Sequence, residues 1–227
     1  MIEYQTVVTN KTFVADDVLT LQLEMQSPGS WTFLPGQFVQ FKIGPVYRAY
    51  SITSSPTDVP RLSFLIELVD GGIASEHIRN LKVGDSVTFR GALGLFFPKE
   101  TDSHHVYIAT GVGIAPFLPI IKYLSEKDHQ QVVLLFGGRV LQRLWFQDQF
   151  QAIAASSKLQ YFETLTKPEE SWQGLRGRVT EHLPDIYKDH KDAVFHVCGS
   201  KEMVTDVRAW LIGQGHEPAK IKLEIFF

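Results

Sequence analysis

The apolar residues of this chain change period once, near Pro98, and that change constrains the fold more than any other feature. Before it they recur with strand periodicity in "VLTLQLEM", "QFVQFKI", "RLSFLIELV" and "DSVTFRG", separated by "SPGSW", "LPGQ", "SSPTDVP" and "KVGD". Short strands at close spacing predict an antiparallel barrel or sandwich. One helical insert, "ASEHIRNL", interrupts them; Ala74, Ile78 and Leu81 share a face there and Ser75 stands where it can cap or bind. After the polar, proline-containing hinge "PKETDSHH" the pattern becomes strand then helix. "VYIAT" precedes "APFLPIIKYLSEK", "QVVLLF" precedes "LQRLWFQDQFQAIAA", "LQYFETL" is followed by a loop, "AVFHVC" precedes "KEMVTDVRAWLIGQG", and "KIKLEIFF" comes last. Apolar strands alternating with amphipathic helices imply a parallel sheet covered on both faces. The expected architecture is an antiparallel β-barrel domain over 1–99 followed by a doubly wound α/β domain over 104–227, and 227 residues at 44% hydrophobic can bury a core of that size.

Several classes of function fit the composition poorly. A net charge of -3 with mixed signs offers no basic field for nucleic acid or an anionic membrane surface. "MIEYQTVVTN" alternates and carries charge, unlike a signal peptide, and no later apolar run is long enough to cross a bilayer. A soluble, cytoplasmic chain acting as a monomer is expected. Cys198 is the sole cysteine, so the chain can form no internal disulfide, no multi-thiolate zinc site and no four-cysteine iron–sulfur cluster of its own. The eight histidines fall into no metal pattern, and no metal is expected. "CGSKE" is not the G-x-S-x-G frame of a hydrolase nucleophile.

What remains points to nucleotides. In "VYIATGVGIAP", Gly111 and Gly113 follow a strand at once and Pro116 stands where a helix begins. Glycines there let the backbone turn sharply and approach a pyrophosphate, while the helix N-terminus supplies free N–H groups. A glycine turn that binds nothing would read the same way, and Arg139 in "LLFGGR" occupies the place where an NAD-type fold often has an acidic residue. "AVFHVCGS" brings Cys198 and Gly199 to the end of a later strand, where ligands of open α/β sheets collect. In "YRAYSITSSP", alternation puts Arg48 and Tyr50 on one face and Ala49 and Ser51 on the other. A guanidinium beside a phenol ring can clamp a phosphate and cover a flat ring, although a surface arginine next to a half-buried tyrosine reads the same way in this fragment alone. "DGGIASEHI" supplies a second glycine turn opening a helix, so two nucleotide ligands, or a cofactor and a substrate, are accommodated.

Taken in order, "RAYS", "GGIAS…LKVGD", "GVGIAP", "VCGS" and an aromatic C-terminus resemble the ferredoxin–NADP reductase family of flavoenzymes over nearly the whole chain. The resemblance implies that Arg48 pairs with the phosphate of FAD, Tyr50 packs on its isoalloxazine and ribityl chain, and Ser51 bonds near flavin N5, with Ala49 between them. It implies that Ile66 and Leu68 lie along the flavin through their backbone, and that Gly72, Ala74 and Ser75 form the pyrophosphate turn. Thr110, Gly111 and Gly113 match the nicotinamide-nucleotide loop, and Cys198 with Gly199 the dipeptide beside the nicotinamide. Plant-type members end in Glu-x-Tyr; here Glu224 is followed by Phe226 and Phe227, and either phenylalanine could cover the flavin face opposite Tyr50. The residues expected at the reacting centre are therefore Ser51, Cys198, Glu224 and Phe227.

A 2′-phosphate needs fixed positive charge, and Arg139, Thr166 with Lys167, and Arg178 favour NADPH over NADH. The expected activity is hydride transfer from NADPH to FAD and one-electron transfer to a separate ferredoxin or flavodoxin, since the chain has no cluster of its own. Lys42, Arg48, Arg79 and Lys82 would serve as a docking patch if they cluster. Reduction of free flavin or of a ferric chelate is the alternative enzyme reading, and a non-catalytic redox-sensing or interaction module the alternative from another class.

Overall fold

Leu19, Leu21, Leu23 and Met25 are buried while Gln22 and Glu24 are exposed, the period-two pattern expected of a half-buried strand. In this computed structural model of the chain, the structure describes residues 2–27, 29, 31–99, 102, 104–127 and 131–226. Packing divides it into two units, Met1–Phe97 with Ala115–Ile120, and Pro98–Ile114 with Ile121–Phe227.

The first unit holds β1 (Glu3–Ala15), β2 (Val18–Met25), β3 (Phe38–Ile43), β4 (Val46–Ser51), β5 (Arg61–Glu67), the helix α1 (Ile73–Asn80) and β6 (Ser86–Leu93). The strands form one antiparallel sheet in the order β4-β3-β6-β1-β2-β5. Its ends meet where Ile52 bridges Phe64 and the Thr53 N–H donates to the Ser63 carbonyl at 2.8 Å, which curls the sheet into a barrel. Val39, Phe41, Phe64 and Phe89 fill the interior, and Ile78 of α1 and Leu81 just after it close it, with Ala74 packed beside them.

In the second unit β7 (His104–Thr110), β8 (Gln131–Gly138), β9 (Leu159–Leu165), β10 (Leu175–Arg176), β11 (Val194–Ser200) and β12 (Ile221–Phe226) form a parallel sheet in the order β10-β9-β8-β7-β11-β12. Helix α2 (Phe117–Ser125) follows β7, α3 (Gln147–Ser156) follows β8, α4 (Leu183–Asp189) precedes β11 and α5 (Lys201–Gly213) follows it. One face packs Val106, Ile108, Val133, Leu135, Phe195 and Val197 against Leu183, Ile186, Val204, Val207 and Leu211 of α4 and α5.

Two expectations change. The helix expected from Leu141 is broken: a 3-10 turn covers Leu141–Arg143, and Phe146 at φ 63 delays α3 to Gln147. The chain between β9 and β11 is more than a loop, because it returns as the two-residue strand β10 and the short helix α4. Among the described residues no helix is long and apolar enough to cross a membrane.

Candidate functional site

Strand β4 answers why an arginine stands among aromatics. Arg48 is the register partner of Phe41 and Tyr50 that of Val39, so both leave the strand on its core face. The Tyr50 ring settles there, 4.8 Å from the ring of Phe41. Arg48 instead runs out to solvent, with Nη1 donating to the Tyr47 carbonyl at 3.0 Å. Burial pushes the Tyr50 phenol up to about 12, with the Arg48 charge nearby opposing the shift. The result is a neutral, half-buried ring with an exposed cation beside it. Ser51, on the opposite face from Tyr50, is buried, and Ala49 is exposed.

The turn before α1 belongs to the same unit. Gly71 has φ 70, and the first intrahelical bond runs from the Glu76 N–H to the Gly72 carbonyl at 2.9 Å. The N–H groups of Ile73, Ala74 and Ser75 therefore precede the helical ladder and face outward as an anion cradle. The Ser75 hydroxyl accepts from the Val69 N–H at 2.8 Å and pins the turn from the inside. Val69 and Ile73 are exposed apolar side chains on either side of it. A guanidinium, a ring face, an N–H cradle and uncovered apolar side chains in one unit are the donor set that a flavin dinucleotide requires.

Ile66 and Leu68 depart from expectation. The Leu68 N–H donates to the Asp17 carbonyl at 2.7 Å and the Ser63 carbonyl accepts from Thr53 on the other side. Alternation along β5 thus turns the backbone of Phe64, Ile66 and Leu68 toward β2, and that of Ser63, Leu65 and Glu67 away from it. The side chains of Ile66 and Leu68 are buried in the barrel core, so a ligand at the outer side of β5 would meet the backbone of Leu65 and Glu67. Side-chain alternation, visible in the sequence, does not show which way a strand's amides point.

In the second unit every expected nucleotide residue that the structure describes lies at the carboxyl end of a strand or just beyond it. The strand order reverses between β7 and β11, and the loops that leave these two strands meet there. A Cβ on Gly113 would lie 2.6 Å from the Cys198 carbonyl carbon and 2.7 Å from Gly199 Cα. Only glycine allows that approach. Gly111 takes φ 56, and a Cβ on Gly199 would strike the Thr110 hydroxyl and come within 2.7 Å of Met203 Cε. Thr110, Gly111, Gly113, Cys198 and Gly199 are therefore packed together at one place, with Gly113, Cys198 and Gly199 buried.

Beside it, Cys198 and Glu224 are register partners. Burial pushes the Cys198 thiol well up, with Glu224 adding to the effect, and burial alone raises the Glu224 carboxyl to about 7. Phe226 lies opposite Ser200, whose hydroxyl caps α5 by accepting from the Met203 N–H at 3.3 Å. Phe227 lies outside the described residues.

The three basic positions separate into two groups. The Lys167 N–H donates to the Arg139 carbonyl at 2.8 Å and the Thr166 N–H to the Gly138 carbonyl at 3.1 Å, which ties these residues together at the ends of β8 and β9. Arg178 instead forms an exposed ion pair with Glu202 at 3.2 Å. Of the residues considered for docking, Lys42 is paired with Glu3 at 3.0 Å, and the same carboxylate accepts from the Tyr47 hydroxyl. Sequence reasoning misses Arg90, stacked 3.7 Å from the Tyr47 ring, and Glu163, which accepts from Tyr161 at 2.5 Å and Gln147 at 2.8 Å. No spacing rule signals such pairs. Among the described residues no group of three or more His, Cys, Asp or Glu side chains is arranged to hold a metal ion.

The oxidoreductase FAD-binding domain family matches residues 5–97 and the oxidoreductase NAD-binding domain family residues 107–209. Ferredoxin--NADP reductase B of Sorangium cellulosum is 31% identical over 216 residues, covering 89% of this chain and 88% of that protein. The anthranilate 1,2-dioxygenase electron transfer component of Acinetobacter baylyi is 30% identical over 227 residues, 97% of this chain, and the chain spans 66% of that relative's length. In fold, the chain is similar to a ferredoxin NADP+ reductase from Neisseria gonorrhoeae solved with bound FAD and NADP, with a TM-score of 0.84, 24% identity and 99% of each chain covered.

Proposed function

The chain belongs to the ferredoxin–NADP reductase family of flavoprotein NAD(P)H reductases, and on that premise we propose that it takes hydride from NADPH onto FAD and passes electrons singly to a separate ferredoxin or flavodoxin. The observation that carries the reading is the seat of Gly113 on Cys198 and Gly199 at the point where strand order reverses. Bound flavin supplies the chemistry: it accepts a hydride and can return electrons one at a time. The protein's residues place and polarise. Tyr50 holds a ring flat, Arg48 and the N–H cradle before α1 neutralise phosphate, and Ser51 bonds at the ring edge. In the second unit Cys198 and Gly199 position the nicotinamide, Glu224 is poised to hold or release a proton near neutral pH, and Phe226 or Phe227 supplies an aromatic ring that can cover a flavin face.

Arg139, Thr166 and Lys167 favour the 2′-phosphorylated nucleotide, because two backbone bonds hold them as one group while Arg178 is engaged by Glu202. A protein acceptor is favoured by the relatives' names as electron transfer components and by the single cysteine, which leaves these residues without a thiolate cluster. The test is the visible spectrum of the purified protein during anaerobic titration with NADPH and, separately, NADH. A bound flavin that bleaches at lower NADPH than NADH supports the reading. A protein that stays colourless after FAD is added overturns the Arg48, Tyr50 and Ser51 assignment.

A further inference from the structure

The segment between β9 and β10 starts with Thr166 and Lys167, whose side chains could serve a nucleotide only if the loop beneath them is fixed. Its start is tied to Gly138 and Arg139 by the two backbone bonds. Its return is tied by side chains as well as by the pairing of β10 with β9. Arg176, an exposed residue of β10, turns its guanidinium back under the loop, and Nη2 donates to the carbonyls of Trp172 at 3.1 Å and of Glu169 and Glu170 at 3.4 Å each. Two carboxylates belong to the same loop, yet the cation is bonded to the backbone of Glu169 and Glu170. An arginine so placed closes a cup of carbonyls that would otherwise repel one another.

Trp172 makes the second fastening. Its indole N–H donates to the Leu175 carbonyl at 2.8 Å and its backbone N–H to the Glu169 carbonyl at 3.1 Å. Gly174 makes room for the ring: a Cβ there would come within 2.7 Å of Trp172 Cε2 and 3.1 Å of the Glu163 carbonyl. Beneath the loop, the Thr164 hydroxyl donates to the Gly177 carbonyl at 2.8 Å and His182 Nε2 lies 3.1 Å from the Arg176 carbonyl, which holds the end of β10 against β9.

We propose that Arg176 and Trp172 are positioning residues that hold Thr166 and Lys167 beside Arg139, and so set the affinity of this edge of the sheet for the adenosine end of the nicotinamide nucleotide. The inference rests on the proposed nucleotide function and names residues that neither contact the nucleotide nor carry its charge. It gives loop rigidity, rather than added positive charge, as the source of affinity at this edge.

The experiment uses the flavin-loaded protein and the Arg176→Gln, Arg176→Lys and Trp172→Phe variants. Binding of 2′-phospho-AMP and 5′-AMP is measured by calorimetry, and KM and kcat are measured with each nucleotide. Arg176→Gln should weaken 2′-phospho-AMP about tenfold and raise KM by a similar factor while kcat changes less than about twofold, since one charge-assisted tether is removed from the loop and none from the reacting centre. Arg176→Lys, which restores a cation but not the planar fork, should recover part of the loss, and Trp172→Phe should lose about threefold by removing one indole bond. Thermal melts identify any variant that has lost its fold, and the conservative Lys and Phe changes then carry the test. Unchanged 2′-phospho-AMP affinity in folded Arg176→Gln overturns the inference. If the unmodified protein binds 2′-phospho-AMP and 5′-AMP alike, the NADPH preference fails by itself. The inference is then judged on KM for NADH, which Arg176→Gln should still raise and which, if unchanged, overturns it.

Discussion

Cys198 and Glu224 sit across from each other in the register of β11 and β12, and burial raises the Glu224 carboxyl from its ordinary 4.5 to about 7. Between these two values the folded chain holds a proton that the unfolded chain releases. The resulting stability is fully present below pH 4.5 and is lost as pH rises through 7. Glu224→Gln carries no such proton, so its stability relative to the unmodified protein should grow across this window, by about 2 kcal/mol at pH 8 after discounting for partial solvent access. Melting temperatures of the two proteins from pH 4 to pH 8 check this, and parallel curves would refute the buried-carboxyl account.

Arg48 is exposed and its guanidinium bonds locally to the Tyr47 carbonyl. Removing it should leave the apoprotein's melting temperature nearly unchanged while weakening FAD, because one charge-assisted phosphate contact contributes about 1.5–3 kcal/mol. Arg48→Gln should therefore raise the FAD dissociation constant roughly ten- to a hundredfold, read by quenching of flavin fluorescence. Equal affinity would remove Arg48 from the phosphate site.

Gly113→Ala separates the two units' roles. The added methyl must displace the Cys198–Gly199 backbone, with a cost of about 1–3 kcal/mol. A shift of this kind beside the proposed nicotinamide position should slow flavin reduction by NADPH on the order of a hundredfold. Arg48, Tyr50, Ser51 and the turn before α1, proposed to hold FAD, lie in the other unit, so flavin content should not change. Normal reduction by the variant in stopped-flow measurements would show that the close approach has no part in nucleotide placement.

How much of the fold and site is legible in the sequence depends on whether the signal is local. Alternation in "VLTLQLEM" and glycines at strand ends are local, and the barrel, the parallel sheet and the Gly111–Gly113 turn follow from them. Helix α4 has seven residues, with Leu183 and Ile186 as its buried positions and a proline in its first turn, too little for a periodic signal. The break before α3 depends on Phe146 at φ 63, a conformation no propensity assigns to phenylalanine. The direction in which the amides of Ile66 and Leu68 point is set by pairing with β2, which needs the register. The pairings of His104 with His190 and of His105 with His196 span 86 and 91 residues, and only the folded sheet brings them together.

Those histidines should govern acid stability. His105 Nδ1 lies 3.3 Å from His196 Nε2, with Tyr107 stacked on His196 at 4.6 Å and the charge of Lys222 nearby on β12. His104 and His190 lie 2.8 Å apart, with Asp192 near His104 and Asp189 near His190. Burial depresses His104, His190, His196 and His216 from the ordinary 6.5, so the fold favours the neutral form of each and unfolding favours proton uptake. Their contribution is complete above pH 6.5 and is lost as pH falls below it, opposite in sign to that of Glu224. Below pH 6.5 these imidazoles make the urea midpoint rise with pH, and Glu224 works against that slope. His196→Gln should flatten that slope by up to about one proton per molecule, since the fully buried ring carries the largest solvation cost. An unchanged slope in this variant would assign the acid sensitivity to other groups.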